Sequence, residues 1–551
     1  MNTPPTPALV TQRAVTRLPR LALLLFCAAY VLPGLFGRDP WRNADVTSFG
    51  YMASVARGAS PWWAPALGGL PSDGALLPYA LGAGFIKVFG PLFGAPFAAR
   101  MPFALLLVGV LIGLWYSCYY LARTEAAQPA AFAFGGEAHP VDYARAIADG
   151  ALLALIASLG LLQLGHETTP ELAQLFGATL FLYAMAVSPW HTHRARSAML
   201  IALPLVAASG APAVAAGLAV AGTVINLRSS YARARSFVPW IVVAGVLAAA
   251  IGWVTDTWAW RLQSPRAAGQ VVQLFVWFAW PAWALASWTL WRWRSHLAHR
   301  HIAAPAATAA VGIVTSIAMG GSDRALLLAL PPLAVLAAFA LPTLQRSVTA
   351  AIDWFSVFFF SLAAIWIWII YASLQTGLPA KPAANVARLA PGFVSRFEWE
   401  PLAVALAGTV AWALLVRWRT GRHRHPLWKS LVLPAGGVAL GWLLAMTLLM
   451  QPLDYARSWR PVIERIAQHV PRDACVAAPQ QDRGLVAALE VHGGWRVEAG
   501  RDSGRCEFLL AEVPLRSAAA RSGWQIVARE RRPTDRVDEI AIYRRTSGAP
   551  Q

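Results

Sequence analysis

The chain has 551 residues, of which 57% are hydrophobic and 13% are charged, and its mean hydropathy is +0.49. Soluble domains carry about 25% charged residues, so this composition excludes a soluble globular protein and predicts a polytopic helical membrane protein. The formal net charge of +19 would suit nucleic-acid binding in a soluble protein. No basic, aromatic-bearing soluble domain accompanies it, so we expect no nucleic-acid partner and place the arginines in cytoplasmic loops.

Apolar segments of about 17–25 residues, each long enough to cross the hydrocarbon of a bilayer, recur along the chain. We predict about thirteen spans, at residues 21–37, 99–121, 149–165, 170–189, 197–209, 211–227, 237–255, 270–290, 303–319, 324–342, 352–373, 401–417 and 430–450. The first segment has no evident small-residue cleavage site, so we expect it to remain as a span. The strongest basic runs fall on one side of this arrangement, which predicts a cytoplasmic N-terminus.

Two long segments lie on the opposite, outer side. Residues 38–98 form a loop with amphipathic pieces near 45–57 and 76–90, which we expect to lie in the membrane interface. Residues 452–551 contain one segment with helical apolar spacing and four short strand-like runs, ACVAAP, CEFLLAE, WQIVARE and EIAIYRR. We therefore predict a membrane domain over 1–451 and a small outer α/β domain over 452–551.

The cysteines divide between these two domains. Cys27 and Cys118 lie in apolar segments, where packing is the simplest role. Cys475 and Cys506 lie in the outer domain, where an oxidising periplasm would allow a disulfide. Sequence does not show that these two approach each other, so a bond and two free thiols both stay open.

Polar residues beside a span are candidates for function because they are costly there. The first group follows span 1, where Asp39 and Asp45 precede an apolar stripe at helical spacing. Asn43 or Asp45 would cap the start of an interfacial helix. Alternatively, Asp45 is a carboxylate base at the membrane boundary, with Asp39 as the second choice.

Two further groups lie on the same predicted side. The segment GHETTPE contains His166, Glu167 and Glu171, which can ligate a metal, position a base or form a solvated turn. The segment GGSDR places Arg324 at the mouth of a late span, where it can bind a phosphate or anchor the span as a snorkelling side chain. The three groups would meet at one cavity if this topology is right.

Several functional classes lack support in the sequence. We find no Walker A motif, no nucleotide-binding glycine fingerprint and no G-x-S-x-G motif. An ATP-driven transporter is therefore unsupported. The spans also lack the chain of acidic residues that proton-coupled carriers use.

The order of these features resembles the integral-membrane GT-C glycosyltransferases, in the branch of the lipid A aminoarabinose transferases and protein O-mannosyltransferase-like proteins. The resemblance rests on the short first span with its acidic loop, on GASPWWAPALGGLPSDGALLPYALGAGFIKVFG followed by AARMPFALL, and on SDRALLLALPPLAVL at a late span. The number of spans and the outer C-terminal domain match as well. Support from motifs is confined to residues 36–105 and 320–336.

The resemblance implies an inverting transferase that moves a sugar from a polyprenyl-phosphate donor to a periplasmic acceptor, at a bacterial inner membrane. The acceptor would be lipid A, a protein or another glycan. Such transfer needs a base opposite the leaving group and positive charge at the departing phosphate. The resemblance implies Asp45 or Asp39 for the base, Glu167 or Glu171 for a second acidic site, and Arg324 for the phosphate.

A divalent metal is used by some branches of this family, and His166 with Glu167 would be the ligands here. The family's lysine near the donor phosphate is replaced by Gly74, next to Asp73, and the tyrosine of the late-span signature is Leu327. The usual Asp-Glu pair reads NAD. The missing positive charge would have to come from Arg42, Arg57, Arg100 or Arg324.

Two other functions compete with this interpretation. A lipid or glycan transporter built on many spans would be expected to show paired internal repeats with broken helices, and we see no similarity between two halves of the chain. A catalytically degenerate member, acting as a scaffold through residues 452–551, is the other alternative.

Overall fold

The chain is largely helical in its computed structural model. The structure describes residues 6–41, 43–258, 262–264, 266–420, 426–479, 481–500, 506–512, 523–532, 534 and 539–546. The α-helices within these residues are α1 Arg20–Val31, α2 Ala44–Ala56, α3 Leu76–Phe93, α4 Ala95–Ala122, α5 Pro140–Ile156, α6 Leu159–Leu164, α7 Pro170–Val187, α8 Thr192–Ala208, α9 Pro212–Leu227, α10 Ala232–Arg235, α11 Val238–Val254, α12 Ala268–Phe278, α13 Ala282–Arg292, α14 Arg300–Ala318, α15 Asp323–Leu326, α16 Leu330–Ala340, α17 Arg346–Thr376, α18 Ala380–Leu389, α19 Trp399–Thr420, α20 Lys429–Ala445, α21 Met450–Arg457, α22 Arg460–Ile466 and α23 Arg483–Ala488.

Short strands complete the secondary structure. They are β1 Ala66–Leu67, β2 Leu70–Pro71, β3 Cys475–Ala477, β4 Arg496–Glu498, β5 Phe508–Glu512, β6 Trp524–Arg531 and β7 Glu539–Arg545.

Local sequence explains several helix ends. Helices α5, α7 and α9 begin at a proline, whose fixed φ suits the first helical position and whose missing N–H costs nothing there. Helix α17 ends at Gly377, which adopts φ +77°, a left-handed conformation that glycine adopts without steric cost.

The helices form a multi-pass membrane protein. Over the described residues, 8 helical segments are long and apolar enough to cross a bilayer, or 10 if two bent pairs each count as one span. Each predicted span corresponds to a helix or a pair of helices, but α1 and α9 are shorter than a typical span. The expectation of about thirteen spans therefore stays a prediction, whereas the helical membrane fold is confirmed.

Three segments differ from the predicted pattern. The span predicted at 149–165 breaks between α5 and α6, and the span predicted at 270–290 consists of α12 and α13, which meet at 95°. Hydropathy cannot detect these breaks, because the apolar composition continues through them. Helix α3, predicted to lie in the interface, has the length and composition of a span.

The segments differ in how deeply they pack. The segment α15–α16 is the centre of the bundle, because 94% of its most apolar 18-residue stretch is buried. Helix α16 packs against α5, α13 and α14. In α17 and in α19 only 11% of the equivalent stretch is buried, so these helices present their aromatic and aliphatic side chains to lipid.

The C-terminal domain is α/β, as predicted. Its sheet has the strand order β4-β3-β5-β7-β6, with β3 parallel to both neighbours and β7 antiparallel to β5 and β6. The four predicted strands are β3, β5, β6 and β7, whereas β4 and α23 had no prediction. A disulfide joins Cys475 to Cys506, whose Cα atoms lie 4.8 Å apart. Of the two possibilities left open by the sequence, a bond and two free thiols, the structure has the bond.

This domain packs directly on the loop that follows α1, at what we call the domain end of the bundle. The N–H of Ala499 donates to the carbonyl of Gly68 at 2.9 Å, and Glu490 Oε1 accepts from the N–H of Gly68 at 2.7 Å. Helix α2 lies between α3 and α23, and nearly all of its residues are buried. The apolar stripe of α2 therefore faces protein on several sides, and the interfacial position of residues 45–57 stays a prediction.

Candidate functional site

The site begins with a buried ion pair at the start of α2. Arg38 Nη1 donates to Asp45 Oδ2 at 3.0 Å, and both side chains are only 1% exposed. Arg38 also donates to the carbonyls of Gly34 and His166, at 2.8 and 2.5 Å. The same Oδ2 of Asp45 accepts from the N–H of Trp41 at 3.1 Å, so the carboxylate ties the chain before α2 to the helix.

The other oxygen of this carboxylate reaches the loop before α7. Asp45 Oδ1 accepts from the N–H and from the hydroxyl of Thr168, both at 2.8 Å. Burial raises the pKa of Asp45, but the charges of Arg38 and Arg100 and the bonds from Thr168 outweigh it, so the pKa lies below its usual value. Asn43 holds the N-cap position of α2 without a side-chain hydrogen bond to the helix, so an Asn43 cap is wrong.

The second and third predicted groups meet beside this carboxylate. Arg324 Nη2 donates to Glu167 Oε2 at 2.5 Å, and its Nη1 lies 3.2 Å from Thr169 Oγ1 and 3.9 Å from Glu171 Oε2. Burial raises the pKa of Glu167, and the negative charge of Asp45 adds to that rise, against the opposing charge of Arg324. The three groups are therefore linked by hydrogen bonds, from Asp45 to Thr168 and from Glu167 to Arg324. Contrary to the prediction, they do not line one cavity, because Asp45 and Glu167 are enclosed by protein.

The carboxylates of this cluster differ in availability. Glu167 is 1% exposed and accepts from Gln163 Nε2 at 2.8 Å as well as from Arg324. Glu171 is 27% exposed, and its Oε2 has no hydrogen-bond partner among the described residues. A pair at 3.9 Å is too long for a hydrogen bond. Glu171 is therefore the more exposed of the two carboxylates, although its unpaired Oε2 is itself buried beside Arg324.

His166 is occupied by backbone groups. Its Nδ1 lies 2.6 Å from the carbonyl oxygen of Leu162 and its Nε2 lies 2.9 Å from that of Tyr30. Two carbonyl partners favour a protonated ring, yet burial dominates and lowers the pKa of His166 to about 4. Neither nitrogen is directed at Glu167, so the proposed metal pair lacks the geometry of a shared site.

The described residues contain one other group of metal-binding side chains. It consists of Cys475, Glu498 and Cys506, with ligand atoms within 4.8 Å of one another. Its two sulfurs are joined in the disulfide and are not thiolates, which are the form that binds metal.

Asp39 belongs to a separate ion pair with the C-terminal segment. Arg460 binds its carboxylate through Nε and Nη2, at 2.7 and 2.6 Å, and Ser458 donates to it at 2.9 Å. Burial raises the pKa of Asp39, but the bonds and charge of Arg460 and the charge of His492 outweigh it and lower the pKa. Asp454 Oδ1 accepts from the Asp39 N–H at 2.9 Å. This carboxylate therefore joins the first loop to α21 and α22.

The arginines predicted to replace the missing lysine differ in position. Arg100 is buried next to this cluster, and its Nη2 has no hydrogen-bond partner within the described chain. Arg57 lies at the other end of α2 and pairs with Glu490, 3.9 Å away. It therefore lies about 18 Å along the helix from Asp45. Arg42 lies outside the described residues.

The position of the missing lysine is built for glycine. Gly74 has φ +86°, and a Cβ there would lie 2.1 Å from the Thr257 side chain. A lysine would require both a strained backbone and a shift of Thr257. The nearby Asp73 lies 3.7 Å from Arg483 of the C-terminal domain, a contact that no local pattern predicted. Leu327 is buried in the turn between α15 and α16.

Sequence reasoning missed three polar residues of the cluster. These are Arg38, Gln163 and Arg457. Arg457 donates to Gln163, which in turn donates to Glu167. Arg38 is next to Asp39 in the sequence. Asp39 was identified because a charge beside a span is costly, and the same argument applies to Arg38. Arg457 carries no such signal, because its contact with Gln163 spans 294 residues. Gln163 is only four residues from Glu167, but it is uncharged, so that argument did not identify it.

A cavity of about 260 Å³ lies beside Arg324, and we call it the Arg324 cavity. Glu171, Gln174 and Ser322 contribute polar groups to its wall. Apolar side chains from α9, α14 and the segment before α12 form the rest, including Val214, Leu262 and Val314. Asp45 is not part of this wall; it lies behind the loop that carries Glu167.

Comparisons with known proteins identify the fold. The structure is similar to ArnT, the aminoarabinose transferase, from Cupriavidus metallidurans bound to undecaprenyl phosphate, at 17% identity over 97% of this chain and 98% of that chain, with a TM-score of 0.61. The apo state of the same protein matches at 17% identity over 95% and 98%, with a TM-score of 0.60. No protein-family model and no curated protein matches the sequence. The likeness confirms the predicted GT-C fold.

Proposed function

We propose that this protein transfers a sugar from a polyprenyl-phosphate donor to an acceptor at the domain end of the bundle. The observation that carries the proposal is the Arg324 cavity, which combines an apolar wall with a guanidinium and a carboxylate. A polyprenyl phosphate has the matching chemistry, because it pairs an apolar chain with an anionic head. The shared fold with ArnT, whose crystal structure contains undecaprenyl phosphate, supports this choice of donor.

In this proposal Arg324 holds the donor phosphate. Its side chain is 22% exposed and lines the cavity, and guanidinium groups bind phosphate through paired hydrogen bonds. The contact with Glu167 orients the side chain, while Nη1 donates to Thr169 at 3.2 Å and would exchange that neutral partner for the phosphate. Arg100, buried nearby with an unpartnered Nη2, adds positive charge on the other side of Asp45.

The transfer step needs a proton acceptor. The acceptor hydroxyl gives its proton to a carboxylate while its oxygen forms a bond to the sugar carbon. The bond from that carbon to the phosphate breaks, and the polyprenyl phosphate leaves with the electron pair. Displacement from the face opposite the phosphate would invert the sugar carbon. Glu171 faces the cavity, and we propose it as the base.

Asp45 remains the alternative base. Its four hydrogen bonds occupy both oxygens in this structure. Acting on a substrate would require the Thr168 loop to release one of them. In our proposal Asp45 instead positions that loop, and through it Glu167 and Arg324.

The test is a transfer assay with a panel of polyprenyl-phosphate sugars and the full-length protein. We expect Glu171→Gln to lower kcat roughly a hundredfold or more, as loss of a general base does, and Arg324→Gln to raise KM for the donor. Asp323→Asn is the matched control, because Asp323 is an exposed neighbour whose carboxylate, among the residues that the structure describes, accepts a hydrogen bond only from the Arg324 N–H.

Each result separates the hypotheses. Normal turnover by Glu171→Gln, together with an inactive but stable Asp45→Asn, would assign the base to Asp45. If the parent protein moves sugar from no member of the panel, the proposed function fails. We also propose that the domain end faces the periplasm, and a reporter fused after Leu453 should then be active only there.

A further inference from the structure

A second and larger cavity lies on the other side of the buried ion pair. Its volume is about 1250 Å³, and we call it the α1–α20 cavity because α1 and α20 contribute to its wall. Gly34 and Asp39 line it. Arg38, which lies between them in sequence, donates to Gly34 on one side and to Asp45 on the other. This cavity and the Arg324 cavity share no lining residue.

The lower wall of the α1–α20 cavity is apolar and open to the bilayer. Leu25, Leu32 and Val404 line it and remain 60%, 50% and 49% exposed. These residues belong to, or directly follow, the membrane helices α1 and α19. Aliphatic side chains exposed at that depth contact lipid chains. An acyl chain can therefore enter the cavity from the side.

The upper wall is acidic. Its carboxylates, within the described chain, are Asp39, Glu398, Glu400, Asp454 and Glu464, and its guanidinium groups are Arg396 and Arg460. Arg460 is committed to Asp39 through two hydrogen bonds. The carboxylates thus exceed the cations, and the remaining guanidinium, Arg396, lies on the loop before α19.

We propose that the α1–α20 cavity binds a membrane phospholipid whose headgroup carries a protonated amine. The acyl chains would lie along α1 and α19. The ammonium group would face the excess carboxylates, and the phosphate would pair with Arg396. A purely anionic phospholipid lacks a partner for those carboxylates and is disfavoured by like charge. The inference does not depend on sugar transfer, because binding needs neither donor nor acceptor.

The test measures lipid binding to the purified full-length protein by native mass spectrometry. Phosphatidylethanolamine is the amine-bearing probe, and phosphatidylglycerol with the same acyl chains is the anionic one. More than one partly exposed charge pair would favour the amine headgroup, so we expect roughly tenfold tighter binding of the ethanolamine lipid. Equal binding, or a preference for phosphatidylglycerol, would overturn the headgroup assignment.

Matched variants locate the site. Val404→Trp fills the apolar wall and should abolish the preference, whereas Val410→Trp, on the same helix, exposed and outside the cavity, should preserve it. The double variant Glu398→Gln/Glu464→Gln leaves Glu400 and Asp454 in the wall and should therefore lower the preference severalfold, whereas Glu125→Gln, outside the cavity lining, should leave it unchanged. A preference that survives Val404→Trp would place the lipid elsewhere, and one that the double variant leaves undiminished would refute the charge argument.

Discussion

Replacing Asp45 by alanine tests whether the buried ion pair stabilises the domain end. The change removes all four hydrogen bonds of the carboxylate and leaves Arg38 charged in a site that is 1% exposed. Breaking a buried pair by removing one partner costs about 3–5 kcal/mol. Arg38 keeps two carbonyl acceptors, so we expect the lower part of that range.

Two milder variants grade the effect. Asp45→Asn retains an oxygen for Thr168 but loses the charge opposite Arg38, and hydrogen bonds to charged groups contribute about 1.5–3 kcal/mol. Thr168→Val removes one hydroxyl donor and keeps the backbone bond, so about 1 kcal/mol is expected. The melting temperatures should therefore rise in the order Asp45→Ala, Asp45→Asn, Thr168→Val, parent.

The assay is thermal unfolding of the detergent-solubilised protein, followed by the fluorescence of its 26 tryptophans. The control is Asp142→Ala, because Asp142 pairs with a 60% exposed Arg17 and such pairs contribute about 0–1 kcal/mol. If Asp45→Ala melts with the parent, the four contacts do not hold the loop. The carboxylate would then be free, and its assignment as the base would gain support.

Three other features give direct expectations. Burial lowers the pKa of His166 to about 4, whereas the pKa in the unfolded chain is near 6.5, so the unfolded chain binds more protons between these pH values. The free energy of unfolding should therefore fall by up to about 3 kcal/mol as the pH drops from 6.5 to 4. His166→Asn should flatten that pH dependence in melting curves. Replacing Cys475 and Cys506 by serine removes a disulfide that joins residues 31 positions apart. The loss should lower the free energy of unfolding of the C-terminal domain by about 3–4 kcal/mol and speed its proteolysis. Cleavage at the rate of the parent protein would contradict this prediction. A Cβ on Gly50 would lie 2.7 Å from Ala487 Cβ, whereas a Cβ on Gly441 would meet no atom within 4 Å. Gly50→Val should therefore lower the melting temperature by more than Gly441→Val. Equal melting temperatures would show that α2 and α23 can move apart without loss of stability.

The sequence predicted the membrane helices better than their breaks. Long apolar runs such as α17 and α19 are evident because lipid requires nearly uniform hydrophobicity. The break between α5 and α6 and the bend between α12 and α13 leave that composition unchanged, so hydropathy has no means of finding them. Strand β4 has three residues, two of them charged, so it lacks the apolar run that marked the equally short β3.

The site shows the same division between local and long-range information. The rule that charges beside a span are costly identified Asp45, Glu167 and Arg324; Arg324 contacts Glu167, and Asp45 bonds the adjacent Thr168. It could not tell which carboxylate would be enclosed and which would face a cavity. Enclosure of Asp45 depends on Thr168, 123 residues away, and no periodicity in one sequence encodes such a pairing.

The bond between Asp39 and Arg460 also constrains how the protein is made. The two residues are 421 positions apart, and translation proceeds at about 5–20 residues per second. The first loop is therefore synthesised roughly 20–80 s before its partner. During that time its buried carboxylates and the apolar face of α2 lack their final cover. A chain that terminates before α21 would keep its helices in the bilayer but leave this end exposed, and quality-control proteases would have an accessible substrate there.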